Sequence, residues 1–465
     1  MRYQNSKITK RFFAFFLLPI CTFALDINDP FAVSKDTKTV DSYSGLSCAQ
    51  TDLTKSMGLV EVANFALCNN PDTKASWVNA LYQAQQVGIA KSSYLPSLDA
   101  SASLNGVRQS AKSGDSFVNT QNGSINFSYL LYDFGGRSAS LQSATKLLDA
   151  ANALQNAKIQ SIFLSVIESY YGLFAAKASL EAHIEAQKLA KESYDAAVAK
   201  YQVGVATPAD KLQALTSYSQ ALLNTVKAEG SLKNAQGALA NVLGLDANTV
   251  LNIAVPSTDI AGEDFSSNVR EMIDEAKKSR PDLVAAEAQI NAAKASIDAA
   301  KAGGRPTLSL TSSAGYANPS ASEHTKSASI GVALNIPIFT GFNTTYKIES
   351  AQTQAKLKEL EYLKLERKVA LDVFQAYNNL VTQTNSVKAS RDLLNSAQQS
   401  MKTADGRYRA GVGSMLDLLS AQSALASAKQ QNVEAVYSWY IAKAALAQSM
   451  GKLKFSEIEK IGGGK

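Results

Sequence analysis

KYQVGVATPADKLQA at residues 200–214 returns in altered form as RYRAGVGSMLDLLSA at residues 407–421. Each segment places a tyrosine three residues before a Gly-Val pair and an aspartate six residues after that glycine. Matching residues lie 207 positions apart, and the same offset relates Gly244 to Gly451. The chain is therefore predicted to contain one topology twice.

A second match lies upstream of the first and has a different offset. CNNPDT at residues 68–73 matches KSRPDL at residues 278–283, and Pro96 matches Pro306, all 210 positions apart. The change of three residues in the offset falls near residues 106–121. A repeat of this length exceeds the period of roughly 20 to 50 residues that solenoid units show. It predicts a duplicated domain half.

The N-terminus has the pattern of an export signal. Its four cations are followed by the apolar run FFAFFLLPICTFA, which ends at the small residue Ala24. We predict a signal peptide over residues 1–24. A membrane anchor is the alternative, but the run is shorter than the roughly 20 residues that a spanning helix needs. Lipidation of Cys21 is a second alternative, disfavoured because the bulky Ile20 precedes it.

The charge of the chain argues against nucleic acid as a partner. The formal net charge of +6 becomes 6 − 4 = +2 when the signal peptide, with four cations and no acid, is removed. Nucleic-acid-binding domains usually show a concentrated basic face. No such cluster is visible in this sequence, so we expect no nucleic-acid partner.

Two cysteines, Cys48 and Cys68, remain after export. Exported proteins meet an oxidising compartment, so a disulfide that closes a loop of about 20 residues is expected. The alternative is a pair of buried thiols.

Two long stretches have the composition of α-helices. Residues 137–200 and 344–407 contain no proline and are rich in Ala, Leu, Gln, Lys and Glu. Each stretch corresponds to a helix roughly 95 Å long, which needs neighbouring helices to pack against. Each is followed by a glycine turn and a second helical stretch, so we predict two long α-helical hairpins. No segment after the signal offers 18 uninterrupted apolar residues, and the best candidate, residues 159–176, is broken by polar residues.

Strands are predicted before each long helix, because apolar and polar residues alternate there. The segments are SLDASASLNG at 97–106, GSINFSYLLY at 123–132, TLSLTSSAGY at 307–316 and SIGVALNIPI at 329–338. One face of these segments is expected to carry their large apolar residues, namely Ile125, Phe127, Tyr129, Leu131, Leu308, Leu310, Tyr316, Ile330, Val332, Leu334, Ile336 and Ile338. The intervening residues 106–121 and 317–326 are predicted to be loops on the cell exterior. Strict alternation over about ten residues is typical of membrane barrel strands, and a half-buried hairpin on a soluble core is the alternative.

The number of strands has a consequence for assembly. Four strands cannot close a barrel, because the smallest bacterial barrels need about eight. An open sheet edge in lipid would leave backbone groups without hydrogen bonds at a cost of several kcal/mol each. Other copies of the chain are therefore expected to complete the sheet. Three copies would supply twelve strands, although counting alone does not distinguish three copies from two or four.

In this order and duplicated, several strings make the mature chain resemble the TolC family of outer-membrane efflux proteins. They are PDTKASW, RPDLVAAEA, YLPSL, GRPTLSL, YDFGGR, PIFTGF, the paired Gly-Val turns, LANVLGL and LAQSMGK. The resemblance implies a homotrimer with a twelve-stranded β-barrel in the outer membrane and a coiled-coil-like helical tunnel through the periplasm. It also implies docking onto a periplasmic adaptor, or membrane fusion, protein and an inner-membrane pump of the RND or ABC type. The protein would then be a passive exit duct for efflux or type I secretion.

The resemblance also assigns roles at the two helical turns, which it places at the gated periplasmic tip. Asp417 falls on an acidic ring position, and Ser420 replaces the acid of a second ring. Tyr408 and Asp210 fall on a latch pair that holds neighbouring helices together. Gly413 takes the place of a latch arginine. Helix capping is an alternative role for both aspartates, because Thr207 and Ser414 each precede an acid by three residues.

Other functions find little support in the sequence. The two histidines, His183 and His324, are far apart, and no phosphate-binding glycine loop is present. We predict no enzyme activity, no cofactor and no metal site. The main alternative function is a periplasmic coiled-coil scaffold without a barrel.

These predictions combine into an α+β membrane protein with two internal repeats. Each repeat contains a helix, a strand hairpin (residues 95–133 or 305–339) and a long helical hairpin. The predicted segments are the signal peptide 1–24, an N-terminal periplasmic segment 25–57, repeat 1 at 58–250, a linker 251–267, repeat 2 at 268–452 and a C-terminal tail 453–465.

Overall fold

The computed structural model of the protein describes residues 29–37, 55–111, 114–256 and 268–461. The first repeat consists of α1 (Leu59–Asn69), α2 (Pro71–Ser92), β1 (Ser97–Ala111), β2 (Gly114–Tyr132), α3 (Gly136–Gln202) and α4 (Pro208–Val242). The second consists of α5 (Val269–Ser279), α6 (Pro281–Ala302), β3 (Thr307–Pro319), β4 (Thr325–Asn335), α7 (Asn343–Arg409) and α8 (Met415–Ser449). A 3₁₀ helix (Val33–Asp36) precedes them and α9 (Phe455–Ile461) follows. The predicted α+β fold with two repeats is confirmed.

The helices of the two repeats match in length as well as in order. The long helices α3 and α7 each have 67 residues, and the second arms α4 and α8 each have 35. The predicted helical hairpins are therefore confirmed, with ends one or two residues beyond the predicted stretches. Each long helix ends before a glycine with positive φ, Gly204 or Gly411, which permits the left-handed turn.

The four strands form one antiparallel sheet in the order β1-β2-β3-β4. The β1–β2 hairpin runs much further than predicted, because Ala111 still pairs with Gly114. Most of the predicted loop at residues 106–121 is therefore strand. Likewise β3 runs to Pro319, leaving a short connection to β4 at Thr325.

Two details of the predicted strand faces are wrong. A register shift between Leu130 and Tyr132 makes Tyr132, rather than Leu131, the partner of Leu308. A bulge inserts one residue, which alternation alone does not reveal. In addition, β4 ends at Asn335, so the predicted strand positions Ile336 and Ile338 lie beyond the sheet.

The helices form one layer of four across the molecule. Next to the sheet the order of contacting helices is α2-α3-α6-α7, and towards the turns it is α4-α3-α8-α7. The long helices α3 and α7 run through both parts of the layer. The layer has two open edges, one made by α2 and α4 and the other by α7.

The short helices meet end to end at two junctions. At the first, the side-chain amide of Asn70 donates to the carbonyl oxygen of Val242 over 2.8 Å, which joins α2 to α4. At the second, the Ser279 hydroxyl donates to the Met450 carbonyl oxygen over 2.6 Å, which joins the corner between α5 and α6 to the end of α8. Because of these contacts, α2 and α4 together run beside most of α3. In the same way, α6 and α8 together run beside most of α7.

A core at these junctions joins the two repeats. It contains residues from α1 and from α3 to α9, including Val166, Leu380 and Ile458. The Tyr171 ring stacks on the Tyr440 ring with centroids 4.8 Å apart. Within the described residues, α3 is the one helix long and apolar enough to cross a membrane by composition. Core packing of side chains such as Val166 accounts for that composition.

Part of the predicted segmentation lies outside the described residues. This applies to the signal peptide at 1–24, to Cys48 and to most of the linker at 251–267. Cys68 lies in α1 and is disulfide-bonded. Its pairing with Cys48 and the segment boundaries stay predictions.

Replacing Gly451 by alanine should destabilise the second junction. Gly451 has φ +71°, and a Cβ there would lie 2.8 Å from the Cα of Arg280. We expect a loss of about 1 kcal/mol or more in denaturant unfolding of the detergent-solubilised protein. The matched control is Gly230→Ala in the exposed middle of α4, where no atom lies within 4 Å of the added Cβ. That change should stabilise the helix, and equal effects of both changes would contradict the assigned role of the junction.

Candidate functional site: the sheet faces and the helical tip

The sheet separates polar from apolar residues on its two faces. Residues paired across strands share a face, so Ala100, Ile125 and Ala314 lie together. The apolar face carries Leu98, Leu104, Ile125, Phe127, Tyr129, Leu308, Leu310, Tyr316, Ile330, Val332 and Leu334. The polar face carries Asp99, Ser101, Ser103, Asn105, Asn122, Ser124, Asn126, Ser309, Thr311, Ser313, Ser327 and Ser329.

The apolar face is open in the single chain. Leu104 is 81% exposed and Ile330 is 79% exposed, although both are large aliphatic residues. On the other face, hydroxyl groups pair across strands, with 2.8 Å between the oxygens of Ser101 and Ser124. This division suits strands with lipid on one side and water on the other.

At the opposite end of the molecule, two turns form the helical tip, which we define as residues 200–211 and 407–417. The turns have the same backbone hydrogen bond: Val205 donates to the Lys200 carbonyl oxygen and Val412 to that of Arg407, both over 3.0 Å. Their equivalence follows from the repeated Gly-Val pairs.

Both aspartates of the tip cap the helices that follow them. Asp210 accepts from the backbone N–H and the hydroxyl of Thr207, at 3.0 and 2.8 Å. These two hydrogen bonds lower the pKa of the Asp210 carboxyl below its usual range. Asp417 accepts from the backbone N–H of Ser414 at 3.4 Å, and its own N–H donates to the Ser414 hydroxyl at 3.1 Å. The capping role is therefore present at both positions, and a ring role for Asp417 is compatible with it.

Tyr408 lies in a small core at the tip. Its side chain is buried beside Met401, Met415 and Leu418. Burial raises the pKa of its hydroxyl, and the charge of the nearby Asp210 carboxylate raises it further. Within the described residues of one chain, the Tyr408 hydroxyl is not hydrogen-bonded to Asp210, so the latch pair stays a prediction.

The other two positions that the resemblance assigns to the gate, Ser420 and Gly413, differ in how much room they offer to a side chain. Ser420 is exposed. A Cβ at Gly413 would lie 3.0 Å from the backbone nitrogen of Tyr408. A side chain at the position where the resemblance assigns a latch arginine would therefore be tightly packed against the end of α7.

A profile described as "Outer membrane efflux protein" matches residues 62–245 and 272–452. The chain belongs to the outer membrane efflux protein family. The two matched stretches fall on the two repeats.

Relatives match nearly the whole chain. Protein CyaE of Bordetella pertussis is 30% identical over 408 residues, which cover 87% of this chain and 86% of the relative. Outer membrane protein TolC of Vibrio cholerae is 26% identical over 420 residues, covering 87% and 93%. The Campylobacter jejuni CmeC outer membrane channel has the same fold, with a TM-score of 0.74 at 21% identity over 90% of this chain and 95% of that one.

Family membership decides between the two predicted functions. The protein is an exit duct of the outer membrane for efflux or secretion, in a family of channels rather than enzymes. In such a duct, the exposed apolar face of the sheet is suited to contact lipid, and the polar face is suited to line a water-filled passage.

Sequence reasoning missed a groove near the tip. It has a volume of about 710 Å³ and lies between α4 and α8 over α3. Its lining contains no Asp, Glu, Lys or Arg and consists mainly of Ala, Ser, Thr, Asn and Gln, such as Gln213, Gln220 and Gln422. The feature of the sequence that could have indicated this groove is the spacing of glutamines along α4 and α8. Within the described ranges, no group of three His, Cys, Asp or Glu residues could hold a metal ion.

A lysine on the lipid face should be far more damaging than one on the polar face. Ile330 and Ser329 are adjacent in β4 and lie on opposite faces. Ile330→Lys should destabilise the membrane-inserted protein by about 2–4 kcal/mol if the position is near the bilayer midplane. Ser329→Lys, the matched control, should leave membrane stability largely unchanged. The measurement is urea unfolding in lipid vesicles, and equal effects would contradict the assignment of the faces.

Proposed function

We propose that three copies of the chain form one continuous duct that is gated at the helical tip and receives substrate from an inner-membrane pump. The observation that carries this proposal is that the sheet and the helical layer each end in two open edges. The sheet ends in β1 and β4, and the helical layer ends in α2 and α4 on one side and α7 on the other. Since unpaired strand edges are costly in lipid, β1 of one copy must pair with β4 of another.

The internal repeat supports a specific register between subunits. Within the chain, α3 packs on α6 through Ala150, Ala285 and Ala288, with Ala153 alongside. The offsets of 207 and 210 convert this contact into α7 against α2 of a neighbouring copy. The equivalent residues are Leu357 and Leu360 on α7 and Ala75 and Val78 on α2.

These equivalent residues are open in the single chain. Leu357 is 48% exposed, Leu360 53% and Val78 53%. Large aliphatic side chains with that exposure are suited to burial between subunits. Three of the four alanines at the internal contact therefore have larger counterparts at the proposed contact between copies.

Cysteines placed at this contact should cross-link the subunits. A Leu357→Cys/Val78→Cys variant, oxidised in detergent, should give a covalent trimer on a denaturing gel. The matched control pairs Val78→Cys with Cys at Lys356, the adjacent α7 residue, whose side chain is 68% exposed. The control should cross-link weakly. A monomer or dimer by mass in detergent would contradict the trimer, and failure of cross-linking in a proven trimer would contradict only the register.

The proposed partners follow from the need of an exit duct for an external source of energy. The sequence shows no phosphate-binding loop, so the energy for transport must come from another protein. One relative is named "Antibiotic efflux pump outer membrane protein ArpC", from Pseudomonas putida. By analogy, this chain works with an RND or ABC pump of the inner membrane through a periplasmic adaptor. The groove between α4 and α8 lies close to the tip and offers that adaptor a surface of small and polar residues.

Asp417 is the proposed charged ring of the gate, with Tyr408 and Asp210 contributing to closure. The Asp417 side chain is exposed in the single chain, on the first turn of α8. Three such carboxylates near the duct axis would attract cations, because rings of charged side chains set pore selectivity.

Asp417→Asn should lower the cation preference of the channel and relieve block by divalent ions added at the tip side. Asparagine keeps most of the capping capacity while it removes the charge. Planar-bilayer recording measures both properties. Asp405→Asn on α7 removes the same charge from an Arg409-paired carboxylate and serves as control. Unchanged selectivity in Asp417→Asn would reduce Asp417 to a helix cap.

A further inference from the structure

Lys200 connects the ends of the two long helices at the tip. It lies in the last turn of α3 and is half-buried. Its ammonium nitrogen lies 3.8 Å from the centre of the Tyr408 ring and donates to the Tyr408 carbonyl oxygen over 3.3 Å. We propose that Lys200 is a clamp at the tip that helps to hold the two helical hairpins of each subunit together when the duct is closed. This inference rests on the gated duct proposed above.

The contact crosses from one hairpin to the other. Towards the tip, α3 packs on α4 and α8, while α7 packs on α8. The clamp therefore joins the first arms of both hairpins, and separating the hairpins would break it. In contrast, Lys211 lies 5.4 Å from the Tyr201 ring within the first hairpin, where such separation changes nothing.

Two physical features strengthen the clamp. The Tyr408 ring is only 8% exposed, and cation–π attraction is stronger when the ring is shielded from water. Moreover, α3 and α7 both end at the tip, so the negative ends of two helix dipoles lie near each other. The ammonium group of Lys200 neutralises both ends, and its hydrogen bond is to one of the last carbonyl groups of α7.

The turn after α7 contains no cation that could lie beside the Tyr408 ring. Gly413 has no side chain, and a Cβ added there would lie 3.0 Å from the backbone nitrogen of Tyr408. Arg409, the last residue of α7, is paired with Asp405 at 3.0 Å. The cation beside the Tyr408 ring and carbonyl group is therefore supplied from the other hairpin.

The experiment is single-channel recording of the full-length protein in planar bilayers. Lys200→Met should raise the resting open probability by at least roughly two- to fivefold, the factor expected for each lost cation–π contact, of which a trimer has three. Lys200→Arg should restore closure, because arginine keeps the charge, the donors and the stacking. Lys211→Met, the matched control, removes the same charge and a lysine–tyrosine contact without bridging the hairpins, and it should behave as wild type.

A double-mutant cycle tests the coupling to Tyr408. Tyr408→Leu should also raise the open probability, and Lys200→Met/Tyr408→Leu should open no more than the stronger single variant. Trimer melting in detergent, measured in parallel, distinguishes a gating effect from general loss of stability.

The outcomes separate the clamp from the duct. Wild-type protein that forms no channels would overturn the proposed duct itself. Wild-type channels together with a Lys200→Met variant that closes normally, or that opens no more than Lys211→Met, would overturn the clamp alone. Additive effects in the double variant would likewise show that Lys200 and Tyr408 act separately.

Discussion

The hydrogen-bonding demand of a sheet edge inside a membrane is the constraint on which this structure depends. Backbone N–H and C=O groups at β1 and β4 find no water in the hydrocarbon region. A four-stranded sheet in that environment is incomplete, and further copies of the chain must close it. The helical layer must contain the same number of copies as the sheet, because each strand hairpin is continuous with a pair of helices. The number of copies that the membrane requires therefore also sets the number of helical hairpins at the tip, which lies far from the lipid.

The internal repeat allows one way of packing helices to serve two contacts. The contact between α3 and α6 inside the chain and the contact proposed between α7 and a neighbouring α2 are two versions of one packing solution. Inside the chain the solution uses Ala150 and Ala288, which are buried. At the open edge it uses Leu357 and Val78, which are larger and exposed. Larger side chains at the edge increase the apolar area that assembly removes from water, which favours association of copies.

The two ends of the molecule differ in the kind of interaction that holds them. At the junctions, aromatic stacking, aliphatic packing and end-to-end helix contacts form a dense core around Tyr171. At the tip, the core is small, and polar contacts such as Gln422 to Ser193 and Lys200 over Tyr408 join the hairpins. Regions with few buried apolar contacts open at lower free energy than dense cores. The proposed gate therefore lies where the structure is least costly to rearrange.

Local chemistry let the sequence alone determine the repeat, the lengths of the helical hairpins, the capping boxes at Asp210 and Asp417, and the alternating strands. Each depends on residues near one another in the chain. The tertiary structure decided the rest. The bulge that puts Tyr132 opposite Leu308, and the close approach that requires glycine at 451, depend on partners far away in sequence. The position of Lys200 against Tyr408 depends on how two hairpins pack, since no local pattern specifies which faces of long, alanine-rich helices meet.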